Sequence, residues 1–178
     1  MSKTVYFVRH GECIANTRGV IAGRGDNSPL TDLGRSQAKE TAQNLKDIDF
    51  DLVITSPMSR TVETTTIIAD ELGINTNVIV KQEFSEKDVG EFTGKPREEY
   101  FAFEASGGEA GETTTEMQER VRQGLEWLKQ QAFGNALVVT HNGTVRMIRT
   151  VLEDLPANHD FTGDTRQILT NTIKDLLK

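Results

Sequence analysis

The sequence predicts an α/β fold: a single three-layer domain over residues 1–178, with a mostly parallel central sheet and helices on both faces. Three observations point there. Short apolar runs rich in Val, Ile and Phe alternate with longer segments of helical period. The runs are continuous rather than alternating, as in strands covered on both faces. The chain has 178 residues, 36% hydrophobic and 26% charged, which suits one sizeable core and neither a disordered nor a membrane-embedded chain.

The elements are expected in this order. Strands fall at residues 4–8, 51–55, 77–80 and 136–140, with a terminal one near 172–177. A helix over residues 31–46 follows the first strand. A second, over 58–72, stops at Gly73, a residue suited to a left-handed C-cap. A third, over 114–132, opens on Thr113 and Glu116, spaced as a capping box. A fourth, over 144–153, is ended by Pro156. Residues 11–30 form a long loop containing Gly19, Gly23, Gly25 and Pro29. Residues 84–112 are loop-rich, with a short helix near 97–105, and act as a cover segment. Loops of this length in a small domain point to function.

Bulk properties narrow the function classes. Net charge is −7 and the pI about 5.0, so no basic face exists for nucleic acid or an anionic membrane. No apolar run reaches the length of a spanning helix, and the N-terminus lacks the h-region of a signal peptide. The lone cysteine, Cys13, has no internal disulfide partner. A cytoplasmic location is the expectation.

Ligands of open α/β sheets bind beyond the carboxyl ends of the strands. Those ends carry a consistent set of groups. The first strand runs into Arg9, His10 and Gly11. The second runs into Ser56 and Pro57, with Arg60 in the first turn of the next helix. The third leads to Glu83 and Glu86. The fourth runs into His141, Asn142 and Gly143 at another helix start. Two of only three histidines sit at strand ends, each followed by a glycine that admits close backbone approach. Helix N-termini offer free N–H groups to an anion. Together these groups suit a phosphoryl group. No ligand-spaced His, Cys or carboxylate cluster supports a metal, and no P-loop string occurs. No metal and no cofactor are expected.

Arg9-His10-Gly11-Glu12 after a first strand resembles the signature of the histidine phosphatase superfamily, the phosphoglycerate-mutase-like proteins. The likeness continues through Asn16, through Pro29-Leu30-Thr31 with Gly34, Gln37 and Ala38, and through Ser56-Pro57 with Arg60, Thr61 and Thr64. It extends over Phe84-Ser85-Glu86 with Gly90, Phe92 and Gly94, over Gly111-Glu112-Thr113, and over Thr140-His141-Asn142-Gly143. It covers residues 4 to about 152 and Asn171-Thr172. Cys13, Phe92 and Asn142 depart from the usual residue types.

The resemblance implies a phosphoglycerate-mutase-like fold and a metal-independent phosphatase acting through a phosphohistidine on His10. Arg9, Arg60 and His141 would be catalytic and bind phosphate, together with Asn16 and Asn142. Positive neighbours favour the neutral His10 that attack requires. Glu86 would be the general acid and then the base for water, with Glu83 as rival. Arg24 and Gly23 are possible substrate contacts, Arg24 reaching a carboxylate or second phosphate, or else solvated. The insert over residues 97–112 of this cover carries Glu98, Glu99, Glu104, Glu109 and Glu112 against Arg97, which argues against a polyanionic substrate; Tyr100, Phe101 and Phe103 offer it an apolar wall or simple packing. A small phosphomonoester is the expected substrate. A phosphoglycerate-type mutase, a protein phosphatase of the same superfamily and a dead phosphate-binding module are the alternatives. The shortness of the chain favours hydrolysis over the mutase.

Overall fold

The computed structural model describes residues 3–156 and the pair Thr172–Ile173. Its strands are β1 (Thr4–Arg9), β2 (Leu52–Thr55), β3 (Val78–Val80), β4 (Asn135–Thr140) and β5 (Thr172–Ile173). The helices are α1 (Ile14–Thr17), α2 (Asp32–Leu45), α3 (Ser59–Leu72), α4 (Arg97–Ala105), α5 (Thr114–Gln130) and α6 (Asn142–Leu152). Two 3-10 turns, Gln82–Phe84 and Gly90–Phe92, break the segment between β3 and α4.

The sheet order is β3-β2-β4-β1-β5. β1, β2, β3 and β4 run parallel, and β5 lies antiparallel on the β1 edge. The parallel pairing brings the carboxyl ends level: Arg9 opposes Thr140, and Thr55 opposes Val139. The residues just beyond them share one sheet edge.

Continuous apolar strands send alternate side chains to opposite faces. Val5, Phe7, Ile54, Ala136 and Val138 pack under Val121, Leu125 and Leu128 of α5 and Val145 and Ile148 of α6. Tyr6, Val8, Val53, Leu137 and Val139 pack on the other face against Ala42 and Leu45 of α2 and Ile68 of α3. The three-layer α/β architecture follows from this division.

Local signals explain the helix ends. Gly73 takes a left-handed φ of 64° and caps α3. Thr113 and Glu116 exchange the two hydrogen bonds of a capping box at the start of α5. Three expectations need correction. The loop over residues 11–30 contains the one-turn helix α1, seated by Cys13 and Asn16. β3 is an edge strand whose Val78 and Val80 are exposed, so only three of the parallel strands are buried on both faces. α6 begins at Asn142, directly after His141, earlier than the apolar period suggests. Of the terminal strand, residues 174–177 lie outside the described residues.

Candidate active site

β1 ends on Arg9, and the next residue, His10, is fixed by its N–H donating to the Thr140 carbonyl at 3.0 Å. The imidazole is buried. Its Nδ1 lies 2.6 Å from the Gly11 carbonyl. A carbonyl only accepts, so Nδ1 holds the proton and Nε2 keeps its lone pair. Burial, then the Arg60 charge, push His10 down to about 3, and Arg9 acts in the same direction against the Gly11 bond. The ring is therefore neutral throughout the physiological range.

Gly11 is required for a different reason from the one its sequence position suggests. A Cβ there would collide with the Gly34 carbonyl, and a Cβ on Gly34 would collide with the Glu12 carbonyl. The two glycines let the turn after β1 lie directly on the first turn of α2. Gly11 serves this backbone contact. Its N–H also donates to Thr64 Oγ1 of α3, at 3.2 Å.

Arg60, in the first turn of α3, is 1% exposed. Its Nη1 donates to the Asp26 carbonyl at 2.7 Å and its Nη2 to the Gly23 carbonyl at 2.9 Å. The long loop thus holds the guanidinium in place, and Gly23 both lines the cavity and anchors Arg60. Arg9 is also largely buried, and its Nε has no hydrogen-bond partner. Burial lowers its pKa, with the like charges of Arg97 and Arg146 adding to the effect and Glu86 opposing it.

His141 caps the N-terminus of α6 and is fully buried. Its Nε2 lies 2.7 Å from Ser56 Oγ, which lies 2.7 Å from Thr61 Oγ1. The opposite nitrogen, Nδ1, is buried without a partner. The ring meets that of His10 edge-on at 5.2 Å between centroids. Burial above all, with the charges of Arg60 and Arg9 acting in the same direction, holds His141 well below the ordinary histidine range.

Glu86 accepts from the N–H of Lys87 at 3.0 Å and of Gly143 at 3.2 Å. A side chain at 143 would strike this carboxylate, so the second glycine of the strand-end pattern makes room for Glu86. Glu83 takes another course: its carboxylate pairs with Lys81 at 2.7 Å and stays outside the cavity. Of the two acids, only Glu86 lines the cavity that His10 lines.

A cavity of about 340 Å³, within the range of small-molecule sites, opens at this edge; His141 lies against the His10 ring and does not line it. Arg9, His10, Asn16, Arg60, Glu86 and Asn142 all reach its wall. Asn16 Oδ1 accepts from the Cys13 N–H at 3.0 Å, which seats its amide at the rim. Cys13 is buried and its Sγ also lies 3.3 Å from Asn16 Oδ1.

Two readings of substrate contacts are corrected here. Arg24 does not line the cavity. Its Nη2 pairs with Glu112 at 3.0 Å and its Nε donates to the Glu86 carbonyl at 3.4 Å, so it braces the loop from below. Four of the five acids of residues 97–112 do not line the cavity. Glu98 and Glu99 are exposed, Glu109 accepts from the Thr114 N–H, and Glu112 is bound by Arg24 and Arg120. Only Glu104 lines the cavity, where one oxygen takes bonds from Lys87 at 2.7 Å and the Tyr100 hydroxyl at 2.6 Å. Tyr100 and Phe101 form part of the wall, while Phe103 packs on Phe92.

Sequence reasoning places Ser56 at a strand end but assigns it no role, and it misses other participants. Arg146 shares a helical face with Asn142, four residues before it. The clamp formed by Glu112 and Arg120 has no local signal, because its partners are 8 residues apart across a turn and bind the loop at 82–85. Among the described residues, no group of three or more His, Cys, Asp or Glu side chains is arranged to hold a metal ion, and no helix is long and apolar enough to cross a membrane.

Comparison with known proteins gives a consistent result. The sequence profile of the histidine phosphatase superfamily (branch 1) matches residues 5–168. A probable phosphoglycerate mutase of Erwinia tasmaniensis is 32% identical over 167 residues, covering 86% of this chain and 76% of the relative. An uncharacterized phosphatase of Bacillus subtilis is 32% identical over 149 residues, covering 82% of this chain and 75% of its own. Among solved structures, the α-ribazole phosphatase of Shigella flexneri superposes with a TM-score of 0.75 at 25% identity, over 86% of this chain and 81% of that one.

Proposed function

The chain belongs to the histidine phosphatase superfamily (branch 1), and from that premise we propose that it hydrolyses a small phosphomonoester through a phosphohistidine on His10, without a metal. The observation that carries this reading is the His10 ring: buried, neutral, its Nδ1 proton held by the Gly11 carbonyl and its Nε2 lone pair left free beside Arg60 and His141. That is the state a nucleophilic imidazole needs.

In the first step Nε2 attacks phosphorus as the P–O bond to the alcohol breaks. Arg9, Arg60 and His141 stabilise charge on the equatorial oxygens, with the amides of Asn16 and Asn142 at the rim. The orphaned His141 Nδ1 is suited to donate to one of them in the tautomer whose Nε2 accepts a hydrogen bond from the Ser56 hydroxyl. Glu86, as the general acid, gives its proton to the leaving alkoxide. In the second step Glu86 takes a proton from water as that water attacks phosphorus, the N–P bond breaks, and phosphate leaves with His10 neutral again.

Replacing Glu86 by Gln keeps the shape of the side chain and removes its proton chemistry. A basic alkoxide needs a proton to leave and a nitrophenolate does not. The single-turnover burst should therefore fall on the order of 10²–10⁴-fold for alkyl phosphates and far less for p-nitrophenyl phosphate. Equal losses for both would remove Glu86 from the acid role. Failure of the unmodified protein to release phosphate from any of a broad panel of phosphomonoesters would overturn the proposed function as a whole.

A further inference from the structure

The Arg60 guanidinium is aimed by backbone, not by a carboxylate. Asp26 Oδ1 stands 3.9 Å from its Nη1, beyond hydrogen-bond reach. The two groups that orient it are the Asp26 and Gly23 carbonyls. Both belong to the loop between α1 and α2, which has no regular structure at these residues. The direction of Arg60 therefore depends on what fastens that loop to α3.

The nearest fastening is Asn27. Its Oδ1 accepts the Ser59 N–H at 2.8 Å. Ser59 opens α3, and the N-cap residue, Met58, makes no side-chain capping bond. The first N–H groups of a helix have no partner within it. Here an amide from a residue 32 positions earlier in the chain supplies one. The contact joins two adjacent residues to two adjacent residues: the Asp26 carbonyl meets Arg60, and the Asn27 side chain meets Ser59. The Asp26 carbonyl and the Asn27 N–H share one rigid peptide plane, so holding Asn27 holds that carbonyl. Asp26 Oδ1 also accepts the Ser28 N–H at 2.9 Å, which tightens the same turn. Beyond it, Ser28 Oγ accepts the Ala15 N–H at 3.3 Å and the Pro29 carbonyl accepts the Ile14 N–H at 3.1 Å, so the segment also seats α1, which carries Asn16. Glu63 of α3 accepts the Leu30 N–H at 3.0 Å and closes the far end. Asn27 itself is exposed, so truncating it leaves no cavity and removes only its hydrogen bond.

We propose that Asn27 is a positioning residue for phosphate binding: by capping α3 from the loop, it locks the Asp26 peptide group against Arg60 and aims the guanidinium. The proposal goes beyond the phosphatase reading and rests on it for the role of Arg60. The aim of the guanidinium can be measured without any phosphate.

The test compares Asn27→Ala, Asn27→Asp and Gly73→Ala with the unmodified protein. Gly73 ends the same helix at a left-handed φ of 64°, so alanine there strains α3 from the opposite end. Two quantities are read: the affinity for inorganic phosphate by isothermal titration, and the protection of the Arg60 guanidinium N–H signals from solvent exchange by NMR. Asn27→Ala should weaken phosphate binding on the order of 10-fold, as misplacement of a binding group does, and should speed the exchange of the Arg60 signals. Asn27→Asp keeps the acceptor oxygen and should recover most of both. Gly73→Ala should lose stability while phosphate affinity and Arg60 protection stay as they were. Unchanged Arg60 protection in Asn27→Ala would overturn the proposal. So would equal losses in Gly73→Ala, because Asn27 would then act only through the general stability of α3. Absence of phosphate binding in the unmodified protein would strike the phosphatase reading, and the exchange measurement would still decide whether Asn27 aims Arg60.

Discussion

At the scale of single residues, the neutral state of His10 has a consequence for stability as well as for chemistry. Its pKa in the folded chain is about 3, against 6.5 for the ordinary side chain. Between those values the unfolded chain holds a proton that the native ring does not, so stability falls as pH drops from about 6.5 toward 3. His141 is shifted in the same direction and adds to the slope. Urea midpoints measured from pH 7.5 to 4.5 should therefore decline on the acid side, and His10→Gln should flatten the decline by up to one proton, roughly 1.4 kcal/mol per pH unit. An unchanged slope in the variant would mean that the native ring titrates normally. The residue types at this site were legible because each stands directly beyond a strand. Their ionisation was legible only in direction, since it depends on complete burial. The roles of the two glycines were not legible: Gly11 answers to Gly34, and Gly143 to Glu86, contacts made by residues distant in sequence.

At the scale of elements, the segment carrying Glu86 is a loop with little regular structure, yet it must place one carboxylate accurately. It is held from both sides. Thr140 donates to the Phe84 carbonyl at 2.6 Å and Thr144 to the Ser85 carbonyl at 2.8 Å, tying it to β4 and α6. From α5, Arg120 Nη1 donates to the Glu83 carbonyl at 2.8 Å and the Ser85 carbonyl at 3.0 Å, while its Nε and Nη2 grip Glu112 at 2.6 and 2.8 Å. Burial raises the Glu112 pKa, but the hydrogen bonds and charge of Arg120, with Arg24, outweigh it and hold the group below the usual carboxylate range. These are positioning residues, since they touch the loop and not the cavity. Glu112→Gln should lower kcat on the order of 10-fold or more, as a small misplacement of a catalytic group does, with a loss of burst rate for alkyl phosphates exceeding that for p-nitrophenyl phosphate. Glu112→Gln and Arg120→Gln should be non-additive, with a coupling of roughly 0.5–3 kcal/mol in kcat. Additive losses, or losses blind to the leaving group, would indicate general destabilisation. The helices were readable from period and caps because those signals are local. The duties of the cover acids were not, because composition does not reveal which side of a helix a carboxylate leaves by; only Glu104 among them reaches the cavity.

At the scale of the whole molecule, a chain of net charge −7 builds a cavity whose wall carries Arg9, Arg60, Arg97 and Arg146. Overall acidity and a local positive field are compatible, because a low-dielectric cleft focuses the charges that line it. The sheet makes this possible: parallel strands in the order β3-β2-β4-β1 put Arg9, His10, Ser56, Glu86 and His141 at one edge although they are spread over more than a hundred residues. That convergence was legible from the alternation of strands and helices. The strand order and the second pair of arginines were not, since both depend on packing across the sheet. The account stands or falls on whether phosphate passes through His10. The direct measurement is rapid-quench trapping with a 32P-labelled alkyl phosphomonoester, followed by mapping of the labelled peptide and by the fate of the label after dilution into water. The account predicts label on His10 that is lost in acid, kept in base, absent from His10→Ala, and released as inorganic phosphate faster than it is passed to a second alcohol. Turnover retained by His10→Ala with no trapped label would contradict it.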